Sequence, residues 1–133
     1  MSHTILIVDD SPTTRKYVRE ELERLGHQVI EAIDGTAALQ ILSTQLPALV
    51  ISDVNMAPMD GLTFVARVRT QFTRAVLPVL MLTTEAGDDL KAQGRAAGAS
   101  GWLTKPFDPR RMSAVIDHLL GTSAQARLDA ERP

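Results

Sequence analysis

Three short apolar runs, TILIV at 4–8, ALVIS at 48–52 and VLMLT at 79–83, most constrain what this chain can fold into, because none alternates apolar with polar residues. A strand that meets water on one face reads with a period of two. A continuous run of about five apolar residues is what a strand needs when a parallel sheet is covered on both faces. Two weaker runs, Gln28 to Ala32 and Gly101 to Thr104, fall between helical stretches, so strand and helix alternate five times. The pattern predicts an α/β fold, a doubly wound five-stranded parallel sheet with five helices.

Punctuation residues place the helices. Ser11 is a cap and Pro12 a first helical residue; Val18, Leu22 and Leu25 follow on one face before Gly26 stops the helix, predicting 12–25. Ala38, Ile41 and Leu42 give a second face, and Leu62, Val65 and Val68 a third. The fourth helix, 86–97, is weakly specified, with two glycines and Leu90 as its one large apolar residue. In the last, Asp108 caps, Pro109 starts, and Met112, Val115, Ile116, Leu119 and Leu120 repeat at helical spacing until Gly121, read as its end. Residues 1–121 are thus one domain. Residues 122–133, with Leu128 as their one large apolar side chain, are expected to be a flexible C-terminal tail.

Composition excludes several classes. The chain has 133 residues, 44% hydrophobic and 23% charged, enough to bury one core. It has no cysteine for a disulfide or thiolate metal site, which fits the cytoplasm. No apolar run approaches the roughly 20 residues of a membrane helix, and a net charge of −2 gives no reason to expect nucleic-acid binding.

The chemistry gathers at one edge. Asp9 and Asp10 follow the first strand, Asp53 the third, Thr83 ends the fourth and Lys105 follows the fifth. Open α/β sheets bind ligands outside the carboxyl ends of their strands, so the spacing predicts one site. Converging carboxylates repel unless a cation neutralises them, and an all-oxygen donor set suits Mg²⁺. A metal, Lys105 and the Thr83 hydroxyl could then stabilise a phosphoryl group on Asp53, predicting an aspartyl phosphate. Taken singly, each residue has a plainer reading: a turn aspartate, a strand-end hydroxyl, a solvated lysine.

The stretches ILIVDDSPTTRK, DVNMAPMDG, MLTTE and AAGASGWLTKPF together resemble the receiver domains of bacterial two-component response regulators, especially the stand-alone chemotaxis (CheY) type, over residues 4–120. The resemblance implies strand order 2-1-3-4-5. It implies Mg²⁺ held by Asp10, Asp53 and the Asn55 backbone carbonyl, with Asp9 acting through water. Asp53 would be the phosphoacceptor, Lys105 would pair with the phosphoryl group beside a cis Lys105–Pro106 bond, and Thr83 would swing in to bond a phosphoryl oxygen. Asn55 and Glu85 match the positions that flank the attacking water in fast-decaying members. Trp102 stands at the aromatic switch position, with a half-buried packing role as the competing reading, and Lys91, Arg95 and Pro106 join it on the expected partner face. The sequence departs from the family in placing Ala57 ahead of Pro58 and in carrying Thr84 and Trp102.

The implied function is a monomeric switch, with a chemotaxis histidine kinase (CheA-like) as donor, a flagellar motor switch protein or other effector as target, and a phosphatase as a further partner. Self-dephosphorylation is expected on a scale of seconds to minutes. With no output domain in 122–133, output is expected to be binding. A phosphorelay shuttle or phosphate sink is the alternative within the family. A phosphatase resembling the haloacid dehalogenases is more distant, since its nucleophile follows the first strand; an FMN binder ranks last, because Asp9 and Asp10 would repel phosphate. His3, His27 and His118 show no metal-ligand spacing and receive no role.

Overall fold

The computed structural model describes residues 2–84 and 87–131, with side chains described through Gly121. Five strands, β1 (Thr4–Val8), β2 (Gln28–Ala32), β3 (Leu49–Asp53), β4 (Val79–Thr83) and β5 (Gly101–Thr104), form one parallel sheet in the order β2-β1-β3-β4-β5. The helices are α1 (Pro12–Arg24), α2 (Gly35–Leu42), α3 (Gly61–Arg69), α4 (Asp88–Ala97) and α5 (Pro109–Glu131). Among the described residues, no helix is long and apolar enough to cross a membrane.

The absence of alternation in the strand sequences has its cause in the packing. Leu6, Val8 and Val50 face a core shared with Ala38, Phe64, Val65 and Val68 of α2 and α3. Their strand neighbours Ile5, Ile7, Leu49 and Ile51 face a second core with Val18, Leu22, Met112 and Ile116 of α1 and α5. Every residue of β3 and β4 is buried. Each fully buried Leu or Ile contributes about 1.5–3 kcal/mol, so the two layers hold the central strands rigidly under the site.

Local chemistry sets the helix starts, as expected for α1 at Ser11. The Ser11 side chain accepts from the Thr14 N–H at 3.3 Å, and Asp34 and Asp60 cap α2 and α3 in the same way. By contrast, α4 begins at Gly87 with no side-chain cap bond, and of its residues only Gly94 is buried. Its other end is secured. Gly98 takes the left-handed conformation (φ +117°) and its carbonyl accepts from Arg69 Nε at 2.8 Å. The same guanidinium donates to the Phe72 and Leu77 carbonyls and to Ser100 Oγ, and burial pushes its pKa down to about 10. This clasp joins α3, the C-terminal end of α4 and the entries of β4 and β5.

One expected boundary is corrected: α5 does not stop at Gly121 but runs on to Glu131. Glycine ends a helix when it takes a positive φ, and Gly26 and Gly98 do so while Gly121 does not. Inside a helix it costs only about 1 kcal/mol relative to alanine, and the alanines, arginine and leucine that follow are good helix formers.

The sheet's opposite end holds a histidine pair that the sequence reading leaves without a role. The rings of His3 and His27 lie 5.6 Å apart and tilted to each other, and the His3 backbone N–H donates to His27 Nδ1 at 3.2 Å. Burial, then His3, lowers the His27 pKa below its ordinary 6.5, against a smaller pull upward from Asp117. The unfolded chain therefore binds a proton at a pH where the folded chain does not, and stability falls as pH drops below about 6.5. His27→Gln is expected to flatten this slope; urea midpoints of both proteins between pH 7 and 5 check it, and parallel curves would refute it.

Candidate functional site

The C-terminal ends of β1, β3, β4 and β5 bring together Asp9, Asp10, Asp53, Thr83 and Lys105, as the spacing predicts. Because β3 lies between β1 and β4, Asp53 stands between the paired aspartates and Thr83. One carboxylate oxygen from each of Asp9, Asp10 and Asp53 lies within 4.8 Å of the others. Lys105 Nζ sits 3.5 Å from Asp9 Oδ2 and 3.5 Å from Asp53 Oδ2.

The three carboxylates are not equivalent. Asp9 is 1% exposed, and its Oδ1 accepts from the Ser11 N–H at 2.8 Å. Its Oδ2 is buried and pairs with the Lys105 ammonium. Burial raises its pKa, opposed by the Ser11 bond, with the Asp53 charge raising it further and Lys105 opposing. Asp53 is 7% exposed, and its Oδ1 accepts from the Asn55 N–H at 3.4 Å. Asp10 is exposed. Three carboxylates face one lysine, whose ammonium is shared at 3.5 Å between Asp9 and Asp53. An all-oxygen set of this kind fits a hard divalent cation, which would neutralise the excess charge.

Thr83 is fully buried, and its carbonyl accepts from the Lys105 N–H at 2.6 Å, tying the ends of β4 and β5. The Lys105–Pro106 bond is cis, as the resemblance implies, and Ala57–Pro58 is cis as well. Thr84 is exposed, and Glu85 lies outside the described residues.

The expected partner face divides in two. Lys91, Arg95 and Trp102 line one small cleft of about 120 Å³. Pro106 lines another, of about 340 Å³, with Lys105, Phe107 and Tyr17, the last two rings 5.7 Å apart. Trp102 is half-buried, its Nε1 is buried without a partner, and its ring lies where a side chain at Gly94 would be. A Cβ there would meet Trp102 Cζ3 at 2.3 Å. Gly94→Ala is expected to displace the indole, shifting its emission maximum and offsetting the helix-propensity gain of about 1 kcal/mol. Unchanged Trp102 emission would show that the ring does not depend on this glycine.

Sequence reasoning missed Gly61 and Arg69. Gly61 closes the β3–α3 loop, its N–H donating to the Val54 carbonyl at 2.8 Å. Its signal is its place in DVNMAPMDG, directly after the cap Asp60. Arg69 leaves no local signal, because its partners are up to 31 residues away.

Against families of known proteins, residues 5–117 match the response regulator receiver domain. The chain is 36% identical to a chemotaxis protein CheY homolog of Campylobacter jejuni, over 90% of this chain and 94% of that one. It is 35% identical to the alkaline phosphatase synthesis transcriptional regulatory protein PhoP of Bacillus subtilis over 98% of its own residues, spanning about half (54%) of that protein. Its fold superposes on the structure of the chemotaxis response regulator CheY4 of Vibrio cholerae with a TM-score of 0.83 at 39% identity, covering 90% of this chain and 99% of that one. A parallel sheet with an acidic site at its carboxyl edge, facing one lysine, is a doubly wound α/β fold with its site where such sheets bind ligands. The chain belongs to the receiver-domain family of two-component response regulators.

Proposed function

We propose that this chain is a cytoplasmic, phosphorylation-controlled protein switch that accepts a phosphoryl group on Asp53 from a chemotaxis-type histidine kinase. The observation that carries the reading is the Lys105 ammonium, 3.5 Å from Asp53 within a cluster of three carboxylates. Asp10, Asp53 and the Asn55 carbonyl would hold Mg²⁺, with Asp9 contributing through water. Bound there, the ion supplies neutralisation of charge on the phosphoryl oxygens. The Asp53 carboxylate attacks the phosphorus of a phosphohistidine: a P–O bond forms, the P–N bond breaks, and the imidazole leaves with the electron pair and takes up a proton. Lys105 offers its charge to the transferred group, adding to the electrostatic stabilisation.

Phosphorylation adds about one negative charge to the pocket. Thr83, on the strand beside Asp53, moves toward that charge, and the weakly capped α4 follows. The Trp102, Lys91 and Arg95 surface then changes its affinity for an effector such as a flagellar motor switch protein. The shift is bounded by the difference in phosphate affinity between the two states. The similarity to chemotaxis proteins from Campylobacter and Vibrio supports this output over a phosphate sink.

Beryllofluoride with Mg²⁺ is expected to change Trp102 fluorescence. After acetyl phosphate treatment, mass spectrometry is expected to place phosphate on Asp53, with decay in seconds to minutes set by Asn55 and Glu85. Phosphate on another residue would overturn the reading; a lifetime of hours would remove only the self-dephosphorylation role.

A further inference from the structure

Arg15 stands near the start of α1, where helix electrostatics favour anions over cations. No acidic residue in the first turn offsets it. Its backbone N–H donates to the carbonyl of the cap Ser11 at 3.0 Å, and its side chain turns back past that cap. Nη1 donates to the Asp9 carbonyl at 2.7 Å, and Nε donates to Glu31 Oε1 at 3.2 Å. Glu31 lies on the edge strand β2, and Arg19, one helical turn beyond Arg15, donates to its other oxygen. The Arg15 side chain is 16% exposed against 40% for Arg19, so this run of charges leads from solvent into the loop that carries the paired aspartates.

Asp9 is thereby held at both ends of its backbone. Its N–H donates to the Ala32 carbonyl at 3.2 Å, on the strand that also carries Glu31, and its carbonyl is the one Arg15 takes. That carbonyl lies in the peptide plane shared with Asp10, so the arginine constrains the direction in which the Asp10 side chain leaves the backbone. The Asp9 carboxylate has its own anchors in the Ser11 N–H and Lys105. The Asp10 carboxylate is exposed and has no hydrogen bond or ion pair among the described contacts, so the backbone beneath it sets its place in the 4.8 Å cluster. A guanidinium suits this task because its rigid fork holds a carbonyl and a carboxylate at once, where an ammonium is a point charge. Among the described ion pairs Arg15 engages Glu31 and none of the three clustered aspartates, so it does not contend with a cation for their oxygens.

We propose that Arg15, anchored by Glu31, is a positioning residue that sets Asp10 for a divalent cation. The proposal rests on the Mg²⁺ reading of the acidic cluster and deepens it, by assigning the orientation of one ligand to a side chain that touches neither metal nor phosphoryl group. Groups that orient metal ligands from behind change metal affinity by about 10–100-fold when removed.

The test is calorimetric titration of the full chain with MgCl₂. Arg15→Ala is expected to bind Mg²⁺ about tenfold more weakly than the parent. The sign is diagnostic, because charge alone predicts the opposite: deleting a cation beside an acidic cluster tightens Mg²⁺ binding. Arg15→Lys keeps the charge without the fork and is expected to weaken binding nearly as much as alanine does. Glu31→Ala removes the anchor and is expected to give a smaller loss in the same direction; it carries the test should Arg15→Ala fail to fold, which urea midpoints report. Phosphate uptake from acetyl phosphate, followed against Mg²⁺ concentration, is the second readout. The half-maximal Mg²⁺ concentration is expected to rise about tenfold while the rate at saturating Mg²⁺ stays close to the parent's, a split that general loosening of the fold does not give. Mg²⁺ binding by the folded Arg15 or Glu31 variants as tight as the parent's, or tighter, overturns the proposal and leaves the Asp53 reading standing. Failure of the parent to bind Mg²⁺, or binding unmoved by Asp10→Asn, overturns the metal reading and the proposal with it.

Discussion

Asp53→Asn is expected to abolish phosphoryl uptake from acetyl phosphate and Mg²⁺, a loss of at least about 100-fold, while leaving the fold intact. The geometry favours this carboxylate over its neighbours as the proposed acceptor. Asp9 is the more deeply buried and commits one oxygen to the Ser11 N–H. Asp10 is exposed and makes no ion pair with Lys105 among the described contacts. Asp53 has Lys105 at 3.5 Å and Thr83 on the adjacent strand, at the carboxyl edge of the sheet. Asparagine keeps the size and loses the nucleophilic charge. Because it also removes one of the like charges that raise the Asp9 pKa, it is expected to change stability without metal by less than about 1 kcal/mol. Lys105→Ala separates the two effects: it is expected to slow uptake by about 100-fold and also to destabilise the chain, because Asp9 then keeps its buried charge without a counterion. Phosphate incorporation read by mass spectrometry, beside urea midpoints, checks both variants. Undiminished uptake by Asp53→Asn would sink the assignment.

The strands β1, β3 and β4 were legible because each is too short and too uniformly apolar to be anything but interior, while β2 and β5 were placed by the helical stretches around them. Gln28–Ala32 and Val79–Thr83 fall where the runs of sequence place them, and β3 is shifted by one residue, to Leu49–Asp53. The site was legible for the same reason: a polar residue directly after a buried strand must sit at its rim. What escaped sequence reasoning depends on distance or on a dihedral angle. Gly26 and Gly121 are alike in sequence, yet one has φ +91° and ends a helix while the other continues it. Arg69 reads as a solvated helix residue until the fold brings Gly98 and Ser100 to it. Whether Trp102 is packed or switching also lay beyond the sequence, since its contact with Gly94 exists only once α4 crosses β5.

Gly61→Ala is expected to be the most destabilising single-methyl change in the chain, about 3 kcal/mol or more. A Cβ at this position would lie 2.2 Å from the Asp53 carbonyl oxygen, 2.8 Å from Val54 Cα and 2.9 Å from Met81 Cε. The methionine tip could move aside; the other two atoms are backbone at the end of the central strand β3, buried on both faces and hydrogen-bonded to β1 and β4. Relief therefore requires the β3–α3 loop to open, breaking the Gly61-to-Val54 bond and shifting Asp53, the proposed acceptor. The helix propensity gained is about 1 kcal/mol at most and cannot offset this. Gly121→Ala is the control: nothing lies within 4 Å of its Cβ, its φ is not positive, and it sits inside α5, so the same methyl is expected to stabilise by about 1 kcal/mol. Urea denaturation of the two variants should move in opposite directions. Any Gly61→Ala protein that does fold should also take up phosphate more slowly than the parent, because Asp53 and the Asn55 carbonyl both belong to the segment that the new methyl displaces. A Gly61→Ala midpoint equal to that of the parent would show that this loop yields freely, and that the position of Asp53 is set from β3 alone.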